Sequence, residues 1–133
     1  MNYMDDASTF ERSLLQKARQ KHIPVTGALE LLPLCNMNCD MCYVRLSRSE
    51  MERQERLRTV EEWVRLAEQM QKAGTVFLLL TGGEPLLFPD FKTLYLELRN
   101  MGMILTINTN GTLLGESWAD FFAEYRPRRI NIT

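Results

Sequence analysis

The sequence has little that would take it into a membrane or onto a nucleic acid. Its longest purely apolar run is Val76 to Leu80, far short of the roughly 20 residues that a membrane-spanning helix requires. Sixteen basic residues against seventeen acidic ones give a net charge of −1, so there is no basic surplus for a nucleic acid or an anionic membrane surface. The first residues, Met-Asn-Tyr-Met-Asp-Asp, lack the basic start and apolar stretch of a signal peptide. We therefore expect a soluble, cytoplasmic protein that binds neither nucleic acid nor membrane.

Cysteine is also scarce. Cys35, Cys39 and Cys42 are the only three cysteines, and they fall within eight residues of one another. An odd number of cysteines without an export signal argues against a disulfide framework. Clustered thiols in a reducing compartment more often bind a metal or take part in redox chemistry. The composition therefore indicates a metal site before any motif is considered.

At 133 residues, with 45% hydrophobic and 25% charged residues, the chain has the size and composition of one ordinary globular domain. These values exclude a disordered tail, a collagen-like repeat and a coiled-coil rod. Hydrophobic periodicity and capping signals predict a helix followed by alternating strands and helices. The helices are predicted to begin near Ser8, Thr59, Phe91 and Trp118, and the strands to span Gly27–Leu34, Val76–Leu80, Met103–Ile107 and Arg128–Thr133.

This order predicts the α/β class, with parallel βα repeats in either an open sheet or a partial TIM-type barrel. Four parallel strands do not close a barrel, and an open sheet leaves its edges uncovered. We therefore expect a truncated product or a fragment, with the missing C-terminal half of the barrel as its partner. Residues 1–26 would form a helical extension and residues 27–133 the first half of the barrel. Arg45 to Arg58, between two predicted elements, is expected to be a solvated loop or a frayed helix.

Three of the predicted strands end in unusual residues. Cys35 to Cys42 follow the first strand, Thr81 to Pro85 the second, and Asn108 to Gly111 the third. In parallel sheets and barrels, chemistry gathers at the C-terminal ends of the strands. The three segments are therefore expected to converge on one rim.

The first of these segments has the spacing C-x3-C-x2-C, which lets three thiolates of one loop wrap a compact inorganic cluster. A [4Fe–4S] cluster usually takes four cysteines, so three leave one iron without a protein ligand. Such an iron can bind a small chelating substrate. A structural zinc site is the alternative. Zinc usually takes four Cys or His ligands, however, and the one histidine, His22, lies before the strand.

The cysteine loop resembles the signature of the radical S-adenosylmethionine (radical SAM) superfamily. Thr81 to Pro85 resembles its Gly-Gly-Glu motif, and Asn108 to Thr112 resembles the segment that follows the third strand, especially in the peptide-modifying branch. The spacing, the order and the position on the strands agree over roughly residues 27 to 133. The resemblance implies an enzyme that binds a [4Fe–4S] cluster and S-adenosylmethionine. It would cleave S-adenosylmethionine reductively to a 5′-deoxyadenosyl radical, which abstracts hydrogen from a substrate.

The resemblance also implies roles for single residues. The three cysteines would ligate three irons, and the amino and carboxylate groups of S-adenosylmethionine would chelate the fourth. Gly82 and Gly83 would let the backbone approach the methionine moiety, because neither has a Cβ. The Glu84 region would receive the ammonium group. A plain turn between strand and helix is the alternative for these three residues.

Three further positions are implied to contact the cofactor. Met41 fits the hydrophobic position near the adenine, Asn110 (and less directly Asn108) would reach the cofactor or substrate, and Thr133 would offer a hydroxyl to the ribose or carboxylate. Simpler alternatives exist for two of them: Met41 packs under the loop, and Asn110 serves the geometry of an Asn-Gly turn. Tyr43 would either stack near the cluster or belong to the core.

The implied partners are an electron donor such as flavodoxin or ferredoxin and a peptide or protein substrate. Because the cofactor carries the hard chemistry, no residue of the chain is implied as a general acid or base. A non-catalytic iron–sulfur or zinc-binding module is the alternative from another functional class. Such a module has no use for the segment from Gly82 to Glu84, and it would not respond to S-adenosylmethionine.

Overall fold

Four parallel strands in the order β1-β2-β3-β4 form the centre of the protein. The computed structural model describes residues 3–42 and 44–133, with side chains from Thr9 onward. Within these ranges, no helix is long and apolar enough to cross a membrane. The predicted α/β fold with parallel βα repeats is confirmed. Its elements are α1 (Tyr3–Gln20), β1 (Thr26–Glu30), α2 (Arg48–Gln54), α3 (Val60–Ala73), β2 (Phe77–Thr81), α4 (Phe91–Asn100), β3 (Ile104–Thr109), α5 (Glu116–Glu124) and β4 (Arg129–Ile132).

The register of the strands aligns their carboxyl ends. Leu80 of β2 pairs with Leu29 of β1 on one side and with Ile107 of β3 on the other. At the end of β3, Thr109 pairs with Ile132 of β4. Since the strands are parallel, the segments that follow β1, β2 and β3 all leave the sheet at the same edge.

The core lies between the sheet and its helices. Alternate strand residues are buried, including Leu78 and Leu80 of β2 and Leu105 and Ile107 of β3. The intervening residues, such as Thr106, are only partly buried because they lie on the other face of the sheet. The buried residues pack against α3, α4 and α5 through Trp63, Ala67, Phe91, Leu94, Tyr95, Leu98 and Phe122.

Capping residues define both ends of α3, and Thr59 is the N-cap of the helix, as predicted. The Glu62 backbone N–H donates to the Thr59 hydroxyl at 3.3 Å, and the Thr59 N–H donates back to the Glu62 carboxylate at 2.8 Å. A cap of this kind typically stabilises a helix by about 1 kcal/mol. Gly74 ends the helix with a φ of 115°, a left-handed conformation that a side chain would strain.

Two predicted boundaries are wrong. Helix α1 begins at Tyr3 rather than at Ser8, so the Ser-x-x-Glu pattern lies inside the helix. No glycine or proline stands between Tyr3 and Ser8 to interrupt the helix. Strand β1 ends at Glu30 rather than at Leu34. Pro33 explains this early end, because it has no N–H to donate to the sheet.

The charged segment from Arg45 to Arg58 contains helix α2, so the loop prediction is wrong and the helical alternative holds for Arg48–Gln54. The Ser47 N–H donates to the Glu50 carboxylate at 2.7 Å, and the Glu50 N–H donates to the Ser47 hydroxyl at 3.3 Å. The Ser47 hydroxyl also donates to the Glu50 carboxylate, at 2.6 Å, and this hydrogen bond together with the one from the Ser47 N–H holds the pKa of Glu50 below its usual value. Met51 is buried and attaches the helix to the rest of the protein. The Ser-x-x-Glu pattern at Ser47 is a sequence signal for this helix start that the loop prediction did not use.

Candidate cofactor site at one edge of the sheet

The cysteine loop leaves the sheet shortly after β1. Its three cysteines are free thiols, of which Cys35 is half-buried and Cys39 and Cys42 are exposed. The Cys42 backbone N–H donates to the Cys39 carbonyl at 3.1 Å. The Met37 backbone N–H donates to Cys35 Sγ at 3.4 Å. The loop therefore holds its thiols near the surface, where a ligand can reach them.

The Gly-Gly-Glu segment packs against the chain that leads into the cysteine loop. The Gly83 N–H donates to the Leu32 carbonyl at 2.7 Å, and the Glu84 N–H donates to the Leu34 carbonyl at 2.8 Å. A Cβ on Gly82 would lie 2.5 Å from the Leu32 carbonyl oxygen, and a Cβ on Gly83 would clash with the carbonyl oxygen of Leu34. Both glycines thus permit a close contact between two loops of the protein itself. Their predicted role beside a methionine moiety stays a prediction.

Glu84 is fully buried and connects the second strand end to the third. Its Oε1 accepts hydrogen bonds from the Thr109 hydroxyl at 2.7 Å and the Leu86 N–H at 3.1 Å, and its Oε2 accepts one from the Asn110 N–H at 2.8 Å. A buried carboxylate requires such donors, because burial without them costs several kcal/mol. The Glu84 side chain therefore fixes the start of the loop between β3 and α5. Its contact with an ammonium group stays a prediction.

Asn110 brings the third strand end onto the cysteine loop. Its Nδ2 lies 2.7 Å from Asn36 Oδ1 and 3.6 Å from Cys35 Sγ, and donates to both. The Asn36 side chain donates to the Thr112 hydroxyl at 2.8 Å, and that hydroxyl donates to Asn110 Oδ1 at 2.7 Å. The left-handed residue of this turn is Gly111, with a φ of 78°. Asn110 is thus not needed for left-handed turn geometry, and the predicted convergence of the three segments on one rim is confirmed.

Asn36 and Thr112 were not predicted as site residues. Together with Asn110 they form a closed ring of side-chain hydrogen bonds, which we call the Asn36–Asn110–Thr112 ring. Asn36 and Thr112 are 76 residues apart in the sequence. The one local signal for this arrangement was the Asn-x-Thr pattern at Asn110. In this pattern the Thr112 N–H donates to Asn110 Oδ1 at 3.0 Å.

The other predicted contact residues have different surroundings. Met41 is 93% exposed, so it does not pack under the loop against any residue that the structure describes. Thr133 donates its backbone N–H to the end of β3 at 3.1 Å. Asn108 accepts a hydrogen bond from Asn131 at 2.8 Å, across β3 and β4. Tyr43 lies outside the described residues.

Two arginines stand beside the cysteine loop. Arg45 Nη1 donates to Asn38 Oδ1 within the loop at 3.2 Å. Arg45, Arg48 and Cys35 line a cavity of about 410 Å³, together with neighbouring polar and apolar residues. The two guanidinium groups therefore add positive charge to the lining of the cavity that Cys35 shares, which favours an anionic group there.

Comparison with known proteins identifies the family. A family profile of the radical SAM superfamily matches residues 29–133, and the chain belongs to this superfamily. The chain is 30% identical over 119 residues to Fe-coproporphyrin III synthase of Methanosarcina barkeri, covering 90% of this chain and 29% of that protein. It is 27% identical over 112 residues to the sporulation killing factor maturation protein SkfB of Bacillus subtilis, covering 84% of this chain and 25% of SkfB.

Solved structures resemble the fold. Streptococcus suis SuiB bound to its precursor peptide SuiA aligns with a TM-score of 0.65 at 21% identity, covering 98% of this chain and 29% of SuiB. SuiB bound to S-adenosylmethionine aligns with a TM-score of 0.62 at 20% identity, covering 98% of this chain and 28% of SuiB. At such identities the likeness shows the fold alone. The chain spans about a quarter to a third of the length of the relatives it matches.

The residues present fit the cofactors that the family implies. Thiolates are the ligands of iron–sulfur clusters and of zinc. His22, the remaining candidate for a zinc ligand, precedes β1, whereas the cysteines follow that strand. In the described part of the chain, no three His, Cys, Asp or Glu side chains are gathered closely enough to hold a single metal ion. Three thiols on one loop, with no fourth cysteine in the sequence, match the donor set that a cluster with one open iron requires.

Proposed function

We propose that this chain carries the cofactor site of a radical SAM enzyme. Cys35, Cys39 and Cys42 would bind three irons of a [4Fe–4S] cluster, and S-adenosylmethionine would bind the fourth. When both are bound, they supply reductive cleavage of S-adenosylmethionine to a 5′-deoxyadenosyl radical, which abstracts a hydrogen atom from the substrate. In this proposal residues 1–26 are a helical extension and residues 27–133 are the first half of the βα barrel.

One observation carries the proposal: hydrogen bonds join the ends of β1, β2 and β3 around Cys35. Glu84 connects the second strand end to the third, and Asn110 connects the third to Cys35 and Asn36. A structural zinc loop or a simple electron carrier has no need for a buried carboxylate that positions a neighbouring strand end. An enzyme that holds a cofactor between these strand ends needs such a carboxylate, because small displacements there weaken catalysis.

The chain's own residues would hold and shield the cofactor. Gly82 and Gly83 keep the backbone of the second strand end close to the cysteine loop, and Glu84 keeps the third strand end in place. Asn110 would present its amide to the cluster side of the site. Met41, exposed at the tip of the loop, would cover the adenine and exclude water, and Thr133 would offer its hydroxyl to the ribose or carboxylate.

The peptide-related relatives support a peptide or protein as the substrate. SkfB is a maturation protein of the sporulation killing factor, and SuiB was solved with its precursor peptide SuiA. An acidic one-electron donor of the flavodoxin or ferredoxin kind would supply the electron, and Arg45 and Arg48 beside the thiols favour such a partner by charge. We place the protein in the cytoplasm, where reducing conditions keep its thiols free.

Electron paramagnetic resonance of the reconstituted protein tests the proposal. The protein is loaded anaerobically with iron and sulfide, reduced, and measured with and without S-adenosylmethionine. We expect a [4Fe–4S]⁺ signal that changes when S-adenosylmethionine is added, because the open iron gains new ligands. A signal that ignores S-adenosylmethionine would favour the non-catalytic iron–sulfur module, and a protein that takes up zinc but no cluster would overturn the proposal.

A further inference from the structure

Cys35 differs from the other two cysteines in its hydrogen bonds. Its Sγ accepts one from the Met37 backbone N–H at 3.4 Å and one from Asn110 Nδ2 at 3.6 Å. Among the described residues, Cys39 Sγ and Cys42 Sγ accept none. The hydrogen bond from Asn110 joins residues that are 75 apart in the sequence, so the fold, and not the loop alone, brings this donor to Cys35.

The orientation of the Asn110 amide is fixed by its partners. Asn110 Oδ1 accepts from both the backbone N–H and the hydroxyl of Thr112, at 3.0 and 2.7 Å. A backbone N–H can only donate, so the oxygen of the amide must face Thr112 and its NH₂ group must face Cys35 and Asn36. One hydrogen of this NH₂ group is donated to Asn36 Oδ1, and the other is donated to Cys35 Sγ.

The backbone of Asn110 is held just as firmly. Its N–H donates to the fully buried Glu84 carboxylate at 2.8 Å. Its φ is not positive, so the position accepts any L-residue without backbone strain. The donor to Cys35 is therefore anchored on both sides, by Glu84 at its main chain and by the Asn36–Asn110–Thr112 ring at its side chain.

We propose that the Asn110 amide raises the reduction potential of the cluster by donating a hydrogen bond to the Cys35 sulfur. This inference rests on the proposed function, since it requires that Cys35 ligates the cluster. One-electron reduction of [4Fe–4S]²⁺ to [4Fe–4S]⁺ adds negative charge that spreads onto the ligand sulfurs. An N–H donor stabilises that charge, and hydrogen bonds to the sulfurs are among the factors that set such potentials. Asn110 acts through Cys35, so it is a positioning residue and not a catalytic one.

Two variants separate this role from a purely structural one. Asn110→Leu removes the donor and keeps a side chain of similar size. Thr112→Val removes the hydroxyl that closes the Asn36–Asn110–Thr112 ring, but it keeps the backbone N–H of residue 112, which donates to Asn110 Oδ1 at 3.0 Å and still orients the amide. If the hydrogen bonds only hold the two loops together, both variants weaken that contact. Only Asn110→Leu also removes the donor to Cys35.

The measurement is a potentiometric titration of the reconstituted protein, followed by electron paramagnetic resonance with dithionite as the reductant. We expect Asn110→Leu to lower the ratio of reduced to oxidised cluster at a fixed potential by three- to tenfold, and a tenfold change corresponds to 59 mV for one electron. Thr112→Val should change this ratio less than twofold. An unchanged ratio in Asn110→Leu, or an equal change in Thr112→Val, would overturn the inference.

Selective labelling provides a second readout, which also applies if Asn110→Leu takes up less cluster. In wild-type protein carrying ¹⁵N-asparagine, the reduced cluster should show a ¹⁵N hyperfine coupling that Thr112→Val retains and Asn110→Asp loses. Asn36 and Asn38 of the cysteine loop carry the label in every variant, so the comparison is between spectra. A ¹⁵N spectrum that is identical in wild type and Asn110→Asp would contradict the inference while leaving the cluster assignment intact. A wild-type protein that binds no cluster would overturn both the proposed function and this inference, so the two failures are distinguishable.

Discussion

The Thr109 hydroxyl donates a hydrogen bond to the Glu84 carboxylate at 2.7 Å, and the two residues are 2% and 0% exposed. They are 25 residues apart in the sequence, at the ends of neighbouring strands. The contact lies beneath the rim at which the cysteine loop, the Gly-Gly-Glu segment and the Asn110 turn meet. A buried pair of this kind makes the geometry of the rim depend on the interior of the protein.

Replacing Thr109 by valine tests how much this pair contributes to stability. Valine has nearly the same shape, but it removes the donor to Glu84 and the acceptor for the Gly111 N–H at 3.1 Å. We expect the free energy of unfolding to fall by about 1–3 kcal/mol, because the buried Glu84 carboxylate and the half-buried Gly111 N–H each lose a partner. Urea unfolding measures the change, with Thr106→Val, on the other face of β3, as the control. Equal effects of the two substitutions would show that the hydrogen bond adds nothing to stability.

Gly83→Ala tests the packing of the Gly-Gly-Glu segment. The added Cβ would meet the backbone of Leu34 and Pro33, which cannot move aside as a flexible side chain can. We expect a loss of about 1–3 kcal/mol in the free energy of unfolding, as for other overpacked sites. Gly115→Ala is the matched control, because a Cβ there meets no atom within 4 Å. If Gly83→Ala is as stable as Gly115→Ala, the close contact is not required.

The features that the sequence predicted are those with a local signal. The strands and α3 follow from hydrophobic periodicity and from the capping box at Thr59, and the cysteine loop follows from its spacing. Parallel pairing then requires the strand ends to meet, so the convergence of the three segments at one edge of the sheet was also predictable. The early end of β1 was harder to predict, because it depends on where Pro33 interrupts hydrogen bonding rather than on a change in hydrophobicity.

The contacts within the site were not predictable in the same way. Nothing near Glu84 in the sequence indicates that its carboxylate is buried against Thr109, since that contact exists only once β2 and β3 lie side by side. Gly82 and Gly83 are predicted to let the backbone approach the methionine moiety, and the structure adds a contact that the sequence did not predict, because the neighbouring main chain occupies the space of their missing Cβ atoms. Contacts between residues that are far apart in sequence require the register of the sheet, which periodicity alone does not give.

The ion pair at the start of α3 predicts a specific loss of stability in acid. The Arg56 guanidinium binds both oxygens of the Glu62 carboxylate, at 2.7 and 2.8 Å, and lowers the pKa of Glu62 to about 2. Because the folded pKa lies below the unfolded value of about 4.3, the stabilisation is complete above that value and is lost as the pH falls towards 2. We expect Glu62→Gln to be less stable than wild type at pH 7 and to lose less of its stability between pH 5 and about pH 2.

Urea unfolding at several pH values checks this prediction. Glu68→Gln is the control, because Glu68 lies exposed on the same helix and forms no ion pair with a described residue. It should follow the wild-type pH dependence. If Glu62→Gln and wild type lose stability in parallel below pH 5, another carboxylate dominates the acid response.

The cysteine assignment makes the last prediction. Cys39 is exposed and accepts no hydrogen bond from a described residue, so its replacement should leave the fold intact and remove only a ligand. We expect Cys39→Ala to lose most of the bound iron and sulfide after anaerobic reconstitution, since two remaining thiolates cannot hold a cluster that needs three.

Met37→Ala, in the same loop, keeps all three thiols and the backbone N–H that donates to Cys35, so it should retain full iron and sulfide content. Chemical analysis of iron and sulfide, with circular dichroism to verify folding, measures both variants. Full cluster content in a folded Cys39→Ala protein would mean that Cys39 is not a ligand, and the assignment of all three cysteines would fail with it.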